Sequence, residues 1–426
     1  MSHFRVIEHT VKCQHTRDRP AGAELGRDND LRLHVKQYIP KTNEHPKPGD
    51  VTLIGAHANG FPKELYEPLW DDLHERLQSH GRQIRGIWIA DMASQGHSGI
   101  LNESTLGPES SWWDHGRDLL FLINQFQEDM PHPILGVGHS VGGSHLAHLS
   151  LLHPRLLHSL VLIDPIIQEN LFPHRKFAAL STFRRDVWPS RQVAARKFAS
   201  SKFYQSWDPR VLDRWIQHGL RDLPTEQYPD VPPEQKGADG PPVALSTTPA
   251  QEVYLYLRAT YPDARLLQDD RPLRDVHPDD IDESPFTRPE TQELYRRLPE
   301  IRPSVRYIFG RESEASTPEL RKGKMETTGT GVGGSGGAAQ GTVHETVLDC
   351  GHLVPMEMPK ECADVCAASI ALELDRWDAE ERKRHTAWSS LSRRERIDIN
   401  DEWRRRIKEM RLESEGTSSS GPKGKL

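Results

Sequence analysis

The chain has 426 residues, enough for one large domain with an insertion or for two domains. Its 55 basic residues are scattered and matched by 62 acidic ones, with a net charge of −7, so no nucleic-acid-binding face is indicated. The first twenty residues lack the apolar core of a secretory signal, and no apolar run approaches about 18 residues. We therefore expect a protein that is neither secreted by that route nor membrane-spanning.

Cysteine use favours a reducing compartment. Of the four cysteines, Cys13 and Cys350 stand alone, while Cys362 and Cys366 lie four residues apart on a predicted helix. That pair lacks further metal-ligating partners, so buried free thiols are the better interpretation. Hydrophobic residues make up only 35% of the chain, which indicates that part of it is solvated linker or tail.

The predicted elements begin with two alternating segments, "FRVIEHTVKC" and "LRLHVKQYI", which suit an antiparallel pair at a sheet edge. From residue 51 strands alternate with helices, which favours a mostly parallel sheet covered on both faces. The strands of this part are "VTLIGAHANG", "IRGIWIADMASQG", "PILGVGH" and "LHSLVLIDPII". We assign residues 1–166 to the first part of a core domain.

The alternation stops at residues 167–300, which read as a helical insertion with a mobile proline-rich loop, "YPDVPPEQKGADGPPVALSTTPAQ". We expect this insertion to cap the carboxyl edge of the sheet, where open α/β sheets bind ligands. The core resumes over residues 301–378, with the strand "SVRYIFG", a flexible "TTGTGVGGSGGAAQG" and the strand "TVHETVLDCGHLVP". Residues 379–426 are predicted as a charged C-terminal extension with a disordered tail.

One short motif carries chemistry: Gly138-His139-Ser140-Val141-Gly142. Its three fixed positions recur by chance in roughly one chain of this length in six, so the pattern alone is weak. A strand before it, a helix after it and three nearby glycines are what a nucleophile elbow needs, because the serine is held in a strained turn. We weigh a nucleophilic Ser140 against a plain strand-to-helix turn, and the context favours the nucleophile.

A serine hydroxyl needs a base within hydrogen-bonding reach, and that base should follow the last strand. Among 22 histidines, His352 in "LDCGHLVP" lies there, with a glycine before it to allow a tight turn. Three other histidines near the motifs, His57, His97 and His139, are interpreted as packing or hydrogen-bonded supports.

Four segments, "GHSVG", "AHANGF", "IADMASQGHSG" and "GHLVPME", together resemble an α/β-hydrolase over residues 35–375. Within that superfamily the chain is similar to fungal peroxisomal lipases and toxin-biosynthesis hydrolases, on "LIDPII", "STPELR", "GTGVGGSGGA" and the charged C-terminal extension. The resemblance implies a mostly parallel central sheet with helices on both faces and a helical cap after the sixth strand. It also implies Ser140 as nucleophile and His352 as base, with the N–H groups of Val141 and Asn59 as oxyanion donors; Ala58 is the alternative to Asn59.

The triad's acid remains open. The superfamily usually places an aspartate after the seventh strand, but this chain has Ser313 there, between Glu312 and Glu314. The other candidate is Asp164, at the end of "SLVLIDPII". The chain order Ser140, Asp164, His352 fits the superfamily. Asp164 is favoured, with Glu312 as the first alternative and Glu314 as the second.

These residues predict hydrolysis of a carboxylic ester, of the lipase or esterase type, with a small apolar substrate and no metal or organic cofactor. Two alternatives remain: a thioesterase on the same triad, and a non-catalytic binding protein of the same fold. The last residues, Gly424, Lys425 and Leu426, resemble the peroxisomal address Ser-Lys-Leu except for the glycine. We therefore expect a peroxisomal import receptor as a partner and peroxisomal rather than cytoplasmic location.

Overall fold

The computed structural model describes residues 3–169, 174–230, 240–261 and 285–418. The tail residues Gly424, Lys425 and Leu426 lie outside these ranges, as do residues 231–239 of the predicted proline-rich loop. Contacts divide the chain into two units, Met1–Leu374 and Asp375–Leu426. Within the described ranges, every helix is too short or too polar to cross a membrane.

Eight strands of the described residues form the central sheet. The strands of the chain are β1 (Phe4–Lys12), β2 (Arg32–Pro40), β3 (Val51–Ala56), β4 (Ile84–Ala90), β5 (Ile134–His139), β6 (Ser159–Ile163), β7 (Val187–Trp188), β8 (Leu220–Asp222), β9 (Val243–Leu245), β10 (Arg258–Ala259), β11 (Phe286–Thr287), β12 (Ser304–Gly310) and β13 (Val343–Leu348). The central order is β1-β2-β4-β3-β5-β6-β12-β13. β2 runs antiparallel to β1 and β4, and the other neighbours are parallel. The predicted mostly parallel sheet with an antiparallel edge pair is confirmed.

Helices cover both faces of this sheet. The helices of the described residues are α1 (Glu67–Ser79), α2 (Gly96–Leu101), α3 (Trp112–Gln125), α4 (Val141–Leu152), α5 (His174–Thr182), α6 (Arg191–Ala199), α7 (Lys202–Gln205), α8 (Pro209–His218), α9 (Pro249–Tyr256), α10 (Glu290–Arg297), α11 (Pro318–Thr327), α12 (Val354–Glu357), α13 (Pro359–Ser389), α14 (Arg393–Ile397) and α15 (Asp401–Ser418), and those that pack on the sheet include α1, α3, α4 and the first part of α13.

Alternate residues of β3 show how the two faces are built. Leu53 packs in one apolar cluster, with α1 and α13, and the next residue, Ile54, packs in another, with α3 and α4. Successive side chains of a strand point to opposite faces, so a strand buried on both sides is apolar throughout. The continuous apolar run "VTLIGA" is therefore the mark of a central strand covered on both faces.

The chain between β6 and β12 forms the predicted cap, but it is not purely helical. Besides α5–α10 it contains a three-stranded antiparallel sheet, β7-β9-β8, and the pair β10-β11. The last part of the predicted proline-rich loop becomes β9 and the start of α9. Three cap tryptophans, Trp188, Trp207 and Trp215, are buried in one apolar cluster. These three large aromatic side chains therefore pack inside the protein and not at its surface.

The glycine-rich segment 327–341, predicted to be flexible, is instead a hydrogen-bonded loop. The N–H groups of Gly329, Gly331 and Ser335 donate to backbone carbonyls of residues 298–301 at 2.9–3.0 Å. Positive φ angles at Gly329, Gly333, Gly336, Gly337 and Gly341 make this path possible. Glycine here permits an unusual fixed conformation, which composition alone cannot distinguish from a flexible linker.

The second unit is helical through α14 and α15. Its charges pair along the helix surface: Arg405 donates to Glu402 and Glu409, three and four residues away, at 2.7 and 2.6 Å. Such exposed pairs add little to stability, because solvent screens the two charges. The predicted disordered tail, residues 419–426, lies outside the described part of the chain.

Candidate active site

Ser140 lies at the sharp junction between β5 and α4. Its backbone is strained, with φ 56° and ψ −124°, in a region that side-chain-bearing residues rarely adopt. Two glycines make the junction possible. A β-carbon on Gly138 would lie 2.6 Å from the Gly142 carbonyl oxygen, and one on Gly142 would lie 2.2 Å from the Ala56 oxygen. The strand, strained serine and close-packed glycines have the geometry of a nucleophile elbow.

His352 connects Ser140 to Asp164. Its Nε2 lies 2.9 Å from Ser140 Oγ, and its Nδ1 lies 2.5 Å from Asp164 Oδ2. Ser140 and Asp164 are almost fully buried, whereas the His352 side chain is 29% exposed. The three side chains come from loops after β5, β6 and β13, which end at the same edge of the sheet. The structure thus brings together the three residues favoured by the sequence analysis.

Asp164 occupies an unusual position. Its φ is 43°, the second such outlier among the described non-glycine residues. Burial acts to raise the pKa of its carboxyl, but hydrogen bonds and charge from His352, with hydrogen bonds from Ser313 and Ser316, outweigh burial and lower that pKa. The carboxylate is therefore held ionised beside the imidazole.

Neither alternative acid reaches the imidazole. Glu312 is exposed, and its N–H donates to the Cys350 carbonyl at 3.0 Å. Glu314 is also exposed and forms an ion pair with Lys176 of α5. Ser313, at the position where the superfamily usually carries an aspartate, is buried and donates to Asp164. In this chain that position supports the carboxylate of another loop.

The loop after β3 contributes Asn59 to the site. The amides on either side are engaged: Ala58 N–H donates to Tyr66 Oη at 2.8 Å, and Gly60 N–H donates to Gln95 Oε1 at 2.9 Å. Asn59's side chain is held on both sides as well. Its Nδ2 donates to the Glu252 carbonyl of α9 at 3.0 Å, and its Oδ1 accepts from Gln95. This arrangement favours Asn59 over Ala58 as an available N–H.

A pocket opens beside Ser140. Its lining is mostly apolar and comes from both core and cap: Asn59, Trp112, Ser140, Val141, Ile166, Phe177, Leu255, Tyr256 and His352. Phe177 and Tyr256, from α5 and α9, stack at 6.2 Å between ring centroids. These two cap aromatics, rather than the buried tryptophans, are the ones that face a ligand.

Two other histidines near the motifs, His57 and His97, have structural partners. His57 is fully buried; its Nε2 accepts from Met92 N–H at 2.9 Å, and its Nδ1 lies 2.8 Å from the Ala58 oxygen. Burial lowers the pKa of His57, so it stays neutral. The His97 ring stacks on His34 at 4.2 Å. All four cysteines are buried and free, and in the described ranges no group of His, Cys, Asp or Glu is placed to hold a metal ion.

The sequence analysis missed the residues that form hydrogen bonds to Asp164 and to the loop after β3. Ser316 donates to Asp164, Gln95 contacts two residues of the oxyanion loop, and Tyr66 accepts from Ala58. A hydroxyl-rich loop where an aspartate is missing, "RESEAS", is a usable signal for Ser313 and Ser316. Gln95 and Tyr66 carry no local signal, because their contacts are made across the fold.

Comparison with known proteins identifies the family. Residues 53–365 match the family described as alpha/beta hydrolase. A type I acyl-CoA thioesterase of Penicillium brevicompactum (mpaH′) is 39% identical over 99% of both chains. A type I acyl-CoA thioesterase of Penicillium roqueforti (mpaH) is 40% identical over 89% of this chain and 90% of its own. The chain belongs to the α/β hydrolase family and is a hydrolase.

A solved structure has the same fold across the whole chain. The peroxisomal alpha-beta-hydrolase Lpx1 of Saccharomyces cerevisiae aligns with a TM-score of 0.64 over 99% of this chain and 100% of its own, at 17% identity. At 17% identity this similarity supports the fold alone.

The close approach at Gly142 predicts a strong effect of one added methyl group. Gly142→Ala would bring Cβ to 2.2 Å from the Ala56 oxygen and 2.7 Å from the His57 oxygen, both rigid backbone atoms. We expect a loss of unfolding free energy of about 3 kcal/mol, at the upper end for overpacking. Urea denaturation measures it. The control is Gly86→Ala in β4, where the nearest atom would lie 3.5 Å away. Similar midpoints for the two variants would contradict the steric argument.

Proposed function

We propose that this hydrolase cleaves acyl thioesters, with an acyl-CoA as substrate, through an acyl-enzyme on Ser140. The hydrogen-bonded line Ser140, His352, Asp164 carries the hydrolytic part of this proposal. The thioester part is supported by the two relatives described as type I acyl-CoA thioesterases, which align over at least 89% of the chain. A carboxylic ester, expected first from the sequence, is the second candidate because the same triad and apolar pocket accept it.

The geometry gives each group a role. His352 Nε2 takes the proton from Ser140 Oγ as the oxygen attacks the thioester carbonyl carbon. The N–H groups of Val141 and Asn59 stabilise the oxyanion, each contributing about 3 kcal/mol. The C–S bond then breaks, and the departing sulfur takes the proton from His352, which leaves a thiol and a neutral imidazole. His352 next takes a proton from water as the water oxygen attacks the acyl carbonyl carbon, and it returns that proton to Ser140 Oγ as the ester bond breaks and the carboxylic acid is released.

Asp164 fixes the tautomer of His352 and stabilises its charged form. Its carboxylate accepts from His352 Nδ1, which leaves Nε2 unprotonated and facing Ser140 in the resting state. The same negative charge stabilises the imidazolium that forms during both proton transfers. Its lowered pKa keeps the carboxyl ionised across the neutral pH range.

The first cap helix suits an anionic leaving group. This helix, α5, carries two basic side chains, Arg175 and Lys176, and no acidic one, whereas Arg184 beyond its end pairs with the buried Glu252. Phe177 of the same helix lines the pocket beside Ser140. The partner of Lys176 is the exposed Glu314, and an exposed pair of this kind is weak enough for a phosphate to replace the carboxylate. Coenzyme A carries phosphate groups at the end remote from its sulfur, which favours it over a neutral alcohol.

Matched substrates test the reaction. We expect folded wild type to hydrolyse decanoyl-CoA with a kcat/KM at least about tenfold above that for p-nitrophenyl decanoate, and Ser140→Ala to lose about a thousandfold or more on both. A fluorophosphonate probe should label the wild type and spare Ser140→Ala. The reverse substrate ranking would favour the carboxylesterase. A folded wild type that is not labelled would favour the non-catalytic binding protein.

The choice of acid is tested by a pair of isosteric substitutions. Asp164→Asn should reduce kcat by about ten-thousandfold, because the neutral amide neither fixes the His352 tautomer nor stabilises imidazolium. Glu312→Gln should change kcat less than about threefold, because the exposed carboxylate makes no contact with His352. Circular dichroism on both variants checks that they are folded. A larger loss in Glu312→Gln than in Asp164→Asn would transfer the role to Glu312.

We also propose that the protein is located in peroxisomes, because an import receptor binds Gly424, Lys425 and Leu426. Lys-Leu matches the address and glycine departs from it, which should weaken receptor binding. The name of the yeast structural relative, a peroxisomal hydrolase, is a weak further indication. A fluorescent protein carrying the last dozen residues should appear in peroxisomes of the native host. Gly424→Ser should increase the fraction of its fluorescence that lies in peroxisomes. Diffuse cytosolic fluorescence of both fusions would reject the address.

A further inference from the structure

A buried chain of hydrogen bonds runs behind Ser140 and joins the two loops that face it. Tyr66 Oη accepts from Ala58 N–H at 2.8 Å and lies 2.8 Å from His139 Nδ1. On the other side of the ring, His139 Nε2 lies 2.9 Å from the carbonyl oxygen of His352. The chain thus starts one residue from Asn59 in the oxyanion loop, passes the residue before Ser140, and ends on the backbone of the base.

Only one set of protons satisfies this chain. The His352 carbonyl can only accept, so His139 carries its proton on Nε2 and donates it there. Nδ1 then has a free lone pair and accepts from the Tyr66 hydroxyl, whose own lone pair accepts from Ala58 N–H. Each group is used once and in one direction. His139 is consequently neutral, in agreement with burial, which lowers its pKa to about 3 with a further contribution from the neighbouring His352.

The chain is well placed to hold geometry and poorly placed to do chemistry. Tyr66 and His139 are 2% and 0% exposed, and the pocket beside Ser140 is lined by other residues. The His139 ring is tilted 39° to that of His352, with centroids 5.3 Å apart, and no ring nitrogen of His139 is left over for a substrate. Its two ends, however, are backbone groups of the two loops whose separation sets the distances from Ser140 to the oxyanion donor and to the base.

We infer that Tyr66 and His139 are positioning residues that hold the Asn59 loop and the His352 loop at a fixed separation around Ser140. This inference rests on the proposed function. Displacement of a reacting group by about 1 Å can cost about a hundredfold in rate, so loss of either link should lower kcat without weakening substrate binding. The apolar pocket that binds the acyl chain is built from other side chains and should be unaffected.

The test compares two buried tyrosine hydroxyls. Tyr66→Phe removes the hydroxyl that links Ala58 N–H to His139. Tyr307→Phe, on β12, removes a hydroxyl that is equally buried and lies 2.8 Å from Thr328 Oγ1. We expect the Tm of both variants to fall by a similar amount. Tyr66→Phe alone should lower kcat, by ten- to a hundredfold, at unchanged KM. It should slow fluorophosphonate labelling of Ser140 by a similar factor, a readout that needs no knowledge of the substrate.

Two substitutions at His139 provide a graded check. Gln places an amide N–H near the Nε2 position and keeps the donor to His352, whereas Asn reaches only the Nδ1 position and loses it. His139→Gln should therefore label faster than His139→Asn. Equal labelling by Tyr66→Phe and Tyr307→Phe, or by the two His139 variants, would overturn the positioning role while the proposed function stands. A wild type that is folded and unlabelled would overturn the proposed function and this inference with it.

Discussion

The site depends on one buried anion. The Asp164 carboxylate has no exposed surface, and an ionised carboxylate removed from water is tolerated only when donors surround it. Those donors are His352 Nδ1 and the hydroxyls of Ser313 and Ser316, from the loops after β13 and β12. Asp164 itself follows β6, before the cap. Its hydrogen bonds therefore join the two parts of the core that the cap separates in sequence, and they place the imidazole over Ser140.

Local features of this architecture could be predicted and non-local ones could not. The elbow at Ser140 consists of one strand, one turn and one helix that follow each other directly, so a short stretch of sequence is enough to predict it. The choice between Asp164 and Glu312 depends on where each carboxylate points after the chain has closed, and a shift of one residue in a turn reverses that direction. Similarly, glycines at 327–341 indicate backbone freedom, but their hydrogen bonds to residues 298–301 appear only in the folded chain.

The cap takes part in the geometry of the loop after β3, which carries the proposed oxyanion donor Asn59, as well as covering the pocket. Asn59 is held between Gln95 of the core and the carbonyl of Glu252 in α9. Gly60 leaves no room for a side chain there, since a β-carbon would lie 2.9 Å from the Glu252 carboxyl carbon. Electrostatic stabilisation requires donors that are oriented before the charge develops. A displacement of α9 would therefore change the direction of the Asn59 N–H as well as access to the pocket.

Triad geometry alone does not separate thioesters from oxygen esters, and the physical difference lies in the leaving group. A thiol has a pKa of about 8.5, far below that of an alcohol, so a thiolate departs with little help from His352 as a proton donor. Proton transfer therefore offers this site little means of preferring a thioester. Preference has to come from binding of the leaving group outside the acyl pocket, where differential contacts with the transition state act. α5 carries Arg175 and Lys176, without an acidic residue, and contributes Phe177 to that pocket, so in the proposed reaction recognition of the acyl group and of an anionic leaving group would both fall to α5.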